Sequence, residues 1–335
     1  MEHVRCNLCG ADETTVRFAS TVDETSTARP WESFRCTHDG YGRHHRIVTC
    51  VRCGLGYADP RPSADDILGS YSEVEDPLYL QELDGRLLTF ERHLDSLERY
   101  RKPPGRMLDV GAYAGAFVEV AKRRGWDVEG LEPSAWAVAE AAKRGLRVHK
   151  GSLDDVRLAA ASFDVVTMWD VIEHLSDPAR ALAESFRLLA PGGLLAVHTM
   201  DADSMFARLA GSRWPWLMEM HLFYYSKKTL EAALRQAGFE VLRTRAHGRY
   251  LRLGYLASRL GGLLGATAGR VSARVFETLR LSAVPVPLNV GDLVTSFAVK
   301  PQASRPGDDE VERPQRDRAA RGPQDQADLV TAGRT

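Results

Sequence analysis

The feature that most constrains the fold is an apolar strand followed at once by a glycine-bearing turn. In the run MLDVGAYAGAF, Asp109 ends the strand, and Gly111 and Gly115 lie in the turn. The run VEGLEPS follows as a second strand, with Glu132 at its tip. Glycines allow a ligand to approach the backbone, and a carboxylate about 20 residues further on can hold ribose hydroxyls. The pair therefore predicts a strand–helix–strand unit that binds a nucleotide.

The segment from 106 to 200 alternates strand-like and helix-like runs. RMLDV, WDVEGL, LRVHK, FDVVTMW and GGLLAVHTM are typical of strands, and the helix-like runs FVEVAKRRG and AWAVAEAAKRG end in glycine. This alternation predicts a parallel sheet with helices on both faces. GFEVLRT and LVTSFAVK complete a set of seven strands. The predicted fold is α/β, with a Rossmann-like, seven-stranded, mostly parallel sheet.

Length, charge and hydropathy limit the class of protein. The chain has 335 residues, a net charge of −1 and 44% apolar residues, which is typical of a globular protein. A nearly neutral charge gives no reason to expect nucleic acid as a partner. The start MEHVRCNLCG is unlike a secretory signal, and no run reaches the roughly 20 apolar residues of a membrane span. We therefore expect a cytoplasmic protein.

All five cysteines lie within the first 53 residues. Cys6 and Cys9 form one CxxCG turn, and Cys50 and Cys53 form another, so that four thiolates can converge on a metal ion. The pattern predicts a structural zinc site; the alternative is four reduced cysteines in a small core. Cys36 is expected to be a spectator, although histidines of the intervening loop could replace a ligand. An odd number of cysteines argues against a disulfide framework.

Changes of pattern divide the chain into successive parts. Residues 1–60 are predicted to form a small zinc-ribbon-like module, and residues 61–104 a helical linker or cap. Residues 105–301 form the sheet domain, with a helical insertion at 247–291 before the last strand. Residues 302–335 are polar and poor in large apolar residues, so they are expected to form a disordered tail.

The insertion is strongly basic. Residues 243–281 hold eight arginines against one acid, Glu277. Apolar residues from 251 to 264 and from 271 to 279 predict two amphipathic helices with basic faces. Three roles stay open: a lid that could also hold a phosphate-bearing substrate, a weak contact of 247–281 with an anionic membrane surface, and a dimer contact.

Further motifs follow the nucleotide-binding unit in order. They are GSLDD, FDVVTMWDVIEHLSDP, LLAPGGLLAV and HLFYYSKKTLEAALRQAGFEV. Together with LDVGAYAG and VEGLEPS, they resemble the class I S-adenosylmethionine (SAM)-dependent methyltransferases over about residues 105–245. Tyr113 departs from the family pattern D-x-G-x-G-x-G, since it stands at the middle glycine. Its side chain must point away from the methionine backbone or help to enclose it.

The resemblance implies a SAM site at the carboxyl ends of the strands. The glycine turn would face the methionyl part, Glu132 would bind the ribose hydroxyls, and the end of the third strand would flank the adenine. The residues that the resemblance assigns to the cofactor are Asp109, Gly111, Ala112, Tyr113, Gly115, Glu132, Pro133, Ser152, Leu153, Asp154, Trp169 and Asp170.

Methyl transfer from a sulfonium requires mainly orientation, because the leaving group departs neutral. A hydroxyl acceptor must lose its proton as it attacks, and a histidine with a pKa of about 6.5 can take it. His221 is the favoured base; the alternative is a histidine that packs in a turn and bonds to backbone. His198 is a weaker candidate. Glu173 and His174 follow the fourth strand and lie at the substrate edge or have a structural role.

The sequence predicts a SAM-dependent methyltransferase of a small molecule, such as a sugar, a nucleotide-linked sugar or a natural-product intermediate. Oxygen is favoured over carbon as the target atom, and a monomer or homodimer is expected. A cysteine module ahead of such a domain is similar to bacterial methyltransferases of sugar and secondary-metabolite pathways. The alternatives are a non-catalytic scaffold with a SAM-binding fold and a peripheral-membrane methyltransferase of a lipid-linked acceptor. The glycine spacing disfavours a nicotinamide-dependent oxidoreductase.

Overall fold

The computed structural model contains one compact unit, Met1–Pro301, and a second unit, Gln302–Thr335. Apart from Gln302, the predicted disordered tail lies outside the described residues. No helix in the described part of the chain is long and apolar enough to cross a membrane. The described residues are 1–22, 30–38, 40–155, 157–254, 278, 281–282 and 284–302.

The cysteine-containing N-terminal segment forms three short strands. The first antiparallel pair joins β1 to β2, and the second joins β2 to β3. One CxxC turn precedes the first strand and the other lies between the second and third strands, so both turns adjoin the same small sheet. The strands are β1 (Thr14–Phe18), β2 (Ile47–Cys50) and β3 (Gly56–Ala58).

Three separate helices occupy the predicted helical segment at 61–104. Ser63 caps the first helix, because its hydroxyl accepts the backbone N–H of Asp66 at 3.2 Å. Pro77 begins the second helix, where a missing N–H costs no helical hydrogen bond. The helices are α1 (Ala64–Ser72), α2 (Pro77–Gln81) and α3 (Leu83–Leu97).

The following elements alternate strand and helix, as the apolar pattern predicted. Each predicted strand is present, with ends that differ from the prediction by a few residues. The elements are β4 (Arg106–Val110), α4 (Ala116–Arg123), β5 (Asp127–Glu132), α5 (Ala135–Lys143), β6 (Val148–Lys150), β7 (Phe163–Trp169), α6 (Pro178–Leu188), β8 (Leu189–Met200), α7 (Met205–Ala210), β9 (Phe223–Tyr224), α8 (Lys227–Gln236), β10 (Glu240–Ala246), β11 (Arg249–Arg252), β12 (Pro285–Leu288) and β13 (Leu293–Val299).

The central sheet has seven strands in the order β10-β13-β8-β7-β4-β5-β6. The five strands from β8 to β6 in this order are parallel, and β13 is antiparallel to both of its neighbours. This confirms the predicted α/β fold. Strands covered on both faces read as continuous apolar runs, as β7 does. The chain order reverses between β4 and β7, so their carboxyl ends border the crevice in which such sheets bind ligands.

The strand β9 is the fourth strand of the N-terminal sheet. The sequence did not predict this strand or its pairing. It pairs with β3, with Gly56 opposite Tyr224 and Tyr57 opposite Phe223. A Cβ atom added to Gly56 would lie 3.1 Å from the Cβ of Tyr224, so the missing side chain permits the close pairing. The N-terminal segment and the sheet domain therefore share a sheet beside the segment that carries His221.

The predicted helical insertion at 247–291 begins and ends as strands. β11 and β12 pair antiparallel, and the N–H of Tyr250 donates to Thr89 Oγ1 of α3 at 2.8 Å. The predicted helix that includes Leu251 is therefore wrong at its start, because β12 and α3 hold this backbone extended. Most of the two predicted helices falls on 255–277, outside the described residues.

Candidate active site

Two buried acids lie at the carboxyl edge of the central sheet. Asp109 is 3% exposed near the end of β4, and Glu132 is 4% exposed at the end of β5, beside the partly buried Pro133. Glu132 accepts the backbone N–H groups of Tyr113 and Ser134, each at 2.9 Å. Burial raises the pKa of Glu132 to about 7, and no lysine or arginine of the described residues acts on it. Each of its oxygens keeps a lone pair for a hydroxyl donor.

Asp109 lies directly before the glycine turn and bonds across the sheet. Thr167 of the neighbouring β7 donates to its Oδ1 at 2.7 Å. Burial, together with the nearby charge of Glu132, raises the pKa of Asp109 to about 8, against the opposing effect of the Thr167 hydrogen bond. The Asp109 carboxyl group therefore holds a proton at neutral pH in the ligand-free protein.

The titration of Asp109 predicts a pH-dependent stability difference. Because folding raises its pKa, the wild-type protein loses stability as pH rises from about 4 towards about 8, and the loss then levels off. In an Asp109→Asn variant, the side chain at this position is uncharged at every pH. Between about pH 6 and pH 8.5, the free energy of unfolding of the variant minus that of the wild type should increase by on the order of 2 kcal/mol. Urea unfolding of both proteins measures the difference, and a constant difference would contradict the raised pKa.

The turn between β4 and α4 needs glycine at two positions. Gly111 has a φ of 70° and Gly115 a φ of 78°, in the left-handed region that glycine adopts without strain. A Cβ on Gly111 would lie 2.5 Å from Val171 Cγ2, and one on Gly115 would lie 2.8 Å from Leu146 Cδ1. Ala112, between the two glycines, is buried. Packing within the protein therefore requires these glycines, whether or not a ligand approaches them.

Tyr113 adopts a φ of 47° at the position of the family's middle glycine. Its hydroxyl donates to Asp76 Oδ2 at 3.2 Å, and its ring lies 4.5 Å from that of Tyr79 in α2. Asp76 also accepts the backbone N–H and the hydroxyl of Thr37. The Tyr113 side chain thus leaves the turn towards α2 and joins three chain segments at one buried carboxylate.

The predicted adenine-flanking residues follow β6. Ser152 donates through its N–H and its hydroxyl to Asp155 Oδ2, at 2.9 and 2.8 Å, and so shapes the turn. Leu153 is buried, whereas Asp154 pairs with Arg180 of α6 at 2.8 Å. Contact between this turn and adenine stays a prediction.

Trp169 and Asp170 lie at the end of β7. The Trp169 ring is 5.1 Å from that of Phe117, and its buried Nε1–H has no hydrogen-bond partner among the described residues. Asp170 has a φ of 55°, and its Oδ1 lies 3.5 Å from Arg249 Nη2. A left-handed non-glycine residue beside an unpartnered buried donor is an arrangement found at ligand sites.

Three buried histidines pack against one another next to Trp169. The ring of His93 lies 4.7 Å from that of His198 and 4.2 Å from that of His247. Thr295 Oγ1 bonds to Nδ1 of His198 at 2.8 Å and to Nδ1 of His247 at 3.0 Å. Sequence reasoning singled out only His198, because nothing in the local sequence of α3 or of the segment after β10 indicates that these rings meet.

Glu173, His174 and His221 also come together at this edge. One carboxylate oxygen and one nitrogen from each ring lie within 4.8 Å of one another. His221 Nδ1 lies 2.6 Å from the carbonyl oxygen of Trp216. His174 Nδ1 lies 3.0 Å from that of Met220. Because a carbonyl only accepts, each Nδ1 carries the proton and each Nε2 carries the lone pair.

Burial favours the neutral form of each of these three groups. It lowers the pKa of His221 to about 3, lowers that of His174, and raises that of Glu173 to about 8. The predicted alternative for His221, a turn position with a backbone hydrogen bond, is present. This bond occupies Nδ1 only, so Nε2 is left with a lone pair for chemistry.

The four predicted metal ligands, Cys6, Cys9, Cys50 and Cys53, form one cluster. Their sulfur atoms lie within 4.8 Å of one another. Cys6 and Cys53 are 3.4 Å apart, and Cys9 and Cys50 are 3.5 Å apart. A tetrahedral zinc ion with Zn–S bonds of about 2.3 Å needs sulfur–sulfur distances of about 3.8 Å, so the set fits zinc. Cys36 is exposed and lies outside the cluster.

Two sequence comparisons identify methyltransferases as relatives of this chain. Residues 83–244 match a protein family described as "Methyltransferase domain". The chain is also 32% identical over 205 residues to a Mycolicibacterium smegmatis protein named "Probable S-adenosylmethionine-dependent methyltransferase". That alignment covers 60% of this chain and 75% of the relative.

Other matches are shorter or concern the fold alone. A ubiquinone biosynthesis O-methyltransferase of Caulobacter sp. is 36% identical over 103 residues, which cover 29% of this chain and 41% of that protein. The chain spans about half the length of such relatives. A chain of the complex that contains the Haloferax volcanii Trm112 methyltransferase activator aligns with a TM-score of 0.50 and 16% identity, over 72% of this chain and 99% of that one. This likeness shows a shared fold.

Proposed function

The chain belongs to the S-adenosylmethionine-dependent methyltransferases, and on this premise we propose that it methylates an oxygen atom of a small-molecule acceptor. The observation that carries the proposal is the buried carboxylate of Glu132, without a cationic partner among the described residues, beside a left-handed glycine turn. Relatives named as O-methyltransferases support oxygen as the target atom.

The residues at the carboxyl edge suit SAM by their chemistry. SAM supplies a methyl group on a sulfonium, which leaves as a neutral thioether. Glu132 would accept the ribose hydroxyls, and the turn from Gly111 to Gly115 would admit the methionyl part. The unpartnered Nε1–H of Trp169 offers a further donor. Transfer then depends mainly on how these groups align the methyl carbon with the acceptor.

The acceptor hydroxyl would lie beside Glu173, His174 and His221. Both rings present an Nε2 lone pair, because each Nδ1–H is held by a backbone carbonyl. A proton lost by the attacking hydroxyl can be taken up at such a position, but burial lowers the pKa of His221 to about 3, so the ring is a weak base unless the bound acceptor changes its surroundings. Carbon methylation is the second choice, because it needs the same removal of a proton from a less acidic group.

An arginine-lined cavity supports an acceptor with an anionic group. The cavity has a volume of about 450 Å³, and its charged lining consists of Arg92, Arg99 and Arg245 with the acid Asp95, beside His247 of the second histidine cluster. Arg245 Nε is buried and has no hydrogen-bond partner among the described residues. Guanidinium groups recognise phosphate through paired N–H donors. A nucleotide-linked sugar therefore suits this cavity better than a neutral sugar.

Zinc in the four-cysteine cluster would have a structural role. Four thiolates complete a tetrahedral shell and leave no position for a substrate. Thiols stay reduced in the cytoplasm, so the cluster is in keeping with the expected location there.

Calorimetric titration with SAM and a mass-shift screen of acceptors test the proposal. The screen would contain sugars, nucleotide-linked sugars and natural-product intermediates with free hydroxyls. We expect SAM binding and the addition of one methyl group to at least one acceptor. Failure to bind SAM would favour the alternative of a non-catalytic scaffold.

Replacing His221 by alanine should lower kcat by about 100-fold or more, the usual contribution of proton transfer by a positioned group. The Kd for SAM should change by less than about threefold, because a residue on the acceptor side acts on turnover rather than on cofactor binding. His149→Ala, at an exposed histidine of β6, is the matched control and should leave both constants unchanged. Unchanged turnover in the His221 variant would exclude it from the catalytic machinery.

A further inference from the structure

The backbone holds Glu173, His174 and His221 in one place. The N–H groups of Leu222 and Phe223 both donate to the carbonyl oxygen of Glu173, at 2.8 and 3.1 Å. The turn after β7 is thereby fixed against the segment that leads into β9. The three side chains are consequently close together before any ligand arrives, and a site built on such a support is preorganised.

The two histidines are oriented as metal ligands are. In each ring, Nδ1–H donates to a backbone carbonyl, that of Trp216 for His221 and that of Met220 for His174. Metal-binding histidines almost always anchor one ring nitrogen in this way, which fixes the tautomer and directs the other nitrogen to the ion. The ring of Tyr71 lies edge-on to His174 at 5.9 Å and restricts its rotation further.

One oxygen of the Glu173 carboxylate lacks a partner that would offset its burial, although Thr199 forms a hydrogen bond with this side chain. The residue is 2% exposed, and its Oε2 has no hydrogen-bond partner among the described residues. Arg249 acts on Glu173, but it forms its ion pair with Asp170, at 3.5 Å. A buried carboxylate oxygen without a partner is costly, and a bound cation removes that cost.

From these contacts we propose that Glu173, His174 and His221 bind one divalent transition-metal ion. The inference rests on the proposed methyl transfer and deepens it. Two imidazoles and one carboxylate are the ligands of catalytic zinc and of ferrous sites, and they leave coordination positions open. The four-cysteine cluster, by contrast, is closed. The open positions are where the acceptor hydroxyl binds.

The ion changes how the acceptor is activated. A hydroxyl group bound to a divalent ion ionises much more readily than a free one. Its O–H bond breaks and the proton passes to solvent, while the oxygen forms a bond to the methyl carbon. The carbon–sulfur bond of the sulfonium breaks, and its electron pair stays on sulfur. In this scheme His174 and His221 remain neutral ligands, and neither has to become a buried cation.

The second histidine cluster differs in ways that argue against a metal there. A nitrogen from each of His93, His198 and His247 also lies within 4.8 Å of the others. Their rings are tilted against one another, with the centroids of His93 and His247 4.2 Å apart, and Thr295 Oγ1 bonds to two of the rings. No carboxylate belongs to this group of described residues, and the Oδ1 of Asp170, which lies 3.7 Å from His198 Nε2, is already paired with Arg249. We assign it to packing and use it as a comparison.

Manganese binding, followed by electron paramagnetic resonance, tests the proposal on the full chain with zinc already in the four-cysteine cluster. Thiolates select zinc, so Mn²⁺ reports on nitrogen and oxygen ligands. The wild type is expected to bind one Mn²⁺ per chain. Glu173→Gln and His221→Gln, each checked for folding by circular dichroism, should bind it at least about tenfold more weakly. His149→Gln, an exposed matched control, should bind it as the wild type does.

Three results would overturn the proposal. One is a wild type that binds no Mn²⁺ and carries one zinc ion rather than two. Another is unchanged binding in Glu173→Gln. The third is loss of binding only in His247→Gln, which would place the ion in the second cluster.

A titration with SAM separates this inference from the proposed function. Full methyl transfer in protein stripped of Mn²⁺ and of the second zinc would end the metal proposal and leave the methyltransferase standing. Absence of SAM binding in metal-loaded protein would end the methyltransferase proposal, whatever the manganese result.

Discussion

Replacing Glu132 by alanine is expected to weaken SAM binding by at least about 100-fold. The ribose hydroxyls lose a charged acceptor, and a hydrogen bond to a charged group contributes about 1.5–3 kcal/mol. Glu132 also holds the N–H groups of Tyr113 and Ser134 at 2.9 Å, so its removal loosens the glycine turn at the same time. Calorimetric titration of SAM into each protein measures the Kd.

Two further variants separate loss of the cofactor contact from loss of the fold. Glu132→Gln keeps the shape and one carbonyl oxygen, so we expect a smaller loss of affinity and a nearly normal melting temperature. Glu129→Ala removes an acid of the same strand, which pairs with Arg106 at 3.1 Å, and should leave the Kd unchanged. Full SAM affinity in Glu132→Ala would remove this residue from the cofactor site.

Replacing Cys50 by serine is expected to release zinc and to unfold the N-terminal sheet. Structural zinc contributes on the order of 10 kcal/mol to the folding of small zinc peptides, so three remaining ligands should not hold the segment. Because β3 pairs with β9, the disorder should reach the segment beside His221 and lower turnover. SAM binding should persist, since it depends on β4 and β5. Zinc release to a chelating dye and thermal unfolding measure the effect.

Cys36→Ser is the matched control for this experiment. Cys36 is exposed and lies outside the four-cysteine cluster, so zinc content and melting temperature should not change. Equal zinc content in Cys50→Ser and the wild type would contradict the assignment of Cys50 as a ligand.

The N-terminal segment also contacts the turn that follows Glu173. Arg61 Nη2 donates to the carbonyl oxygen of Ser176 at 2.8 Å, and Asn7 Nδ2 donates to Asp177 Oδ1 at 2.9 Å. Together with the pairing of β3 and β9, these bonds connect the segment to the proposed acceptor side at several points. We therefore expect changes in the zinc cluster to alter acceptor turnover more than SAM affinity.

The parallel part of the sheet could be predicted because the burial of each element produces an apolar pattern within that element. Strands covered on both faces are long apolar runs, and the helices between them end at glycines with positive φ, Gly125 and Gly145. Glu132 could be placed at a strand tip for the same reason. Each of these features depends on neighbours within a few residues.

The small elements have no such local sequence pattern. β9 has two residues and pairs with β3, which is far away in the sequence. Gly56 allows the close approach of the two strands. Leu251 fits a helical pattern, yet its backbone is extended because β12 and α3 bind it. Tyr113 could be identified as a departure from the family pattern, but its bond to Asp76 depends on where α2 packs.

The sequence by itself determined the α/β order of elements, the buried acid at the tip of β5 and the four cysteines that can share an ion. These follow from spacing and periodicity, which act over one turn of helix or one strand. Only the tertiary structure decided that His221 lies beside Glu173 and His174, that His93 packs against His198 and His247, and that the N-terminal sheet is completed by β9. Side chains far apart in the sequence meet only through packing, and no local pattern records which of them will be neighbours.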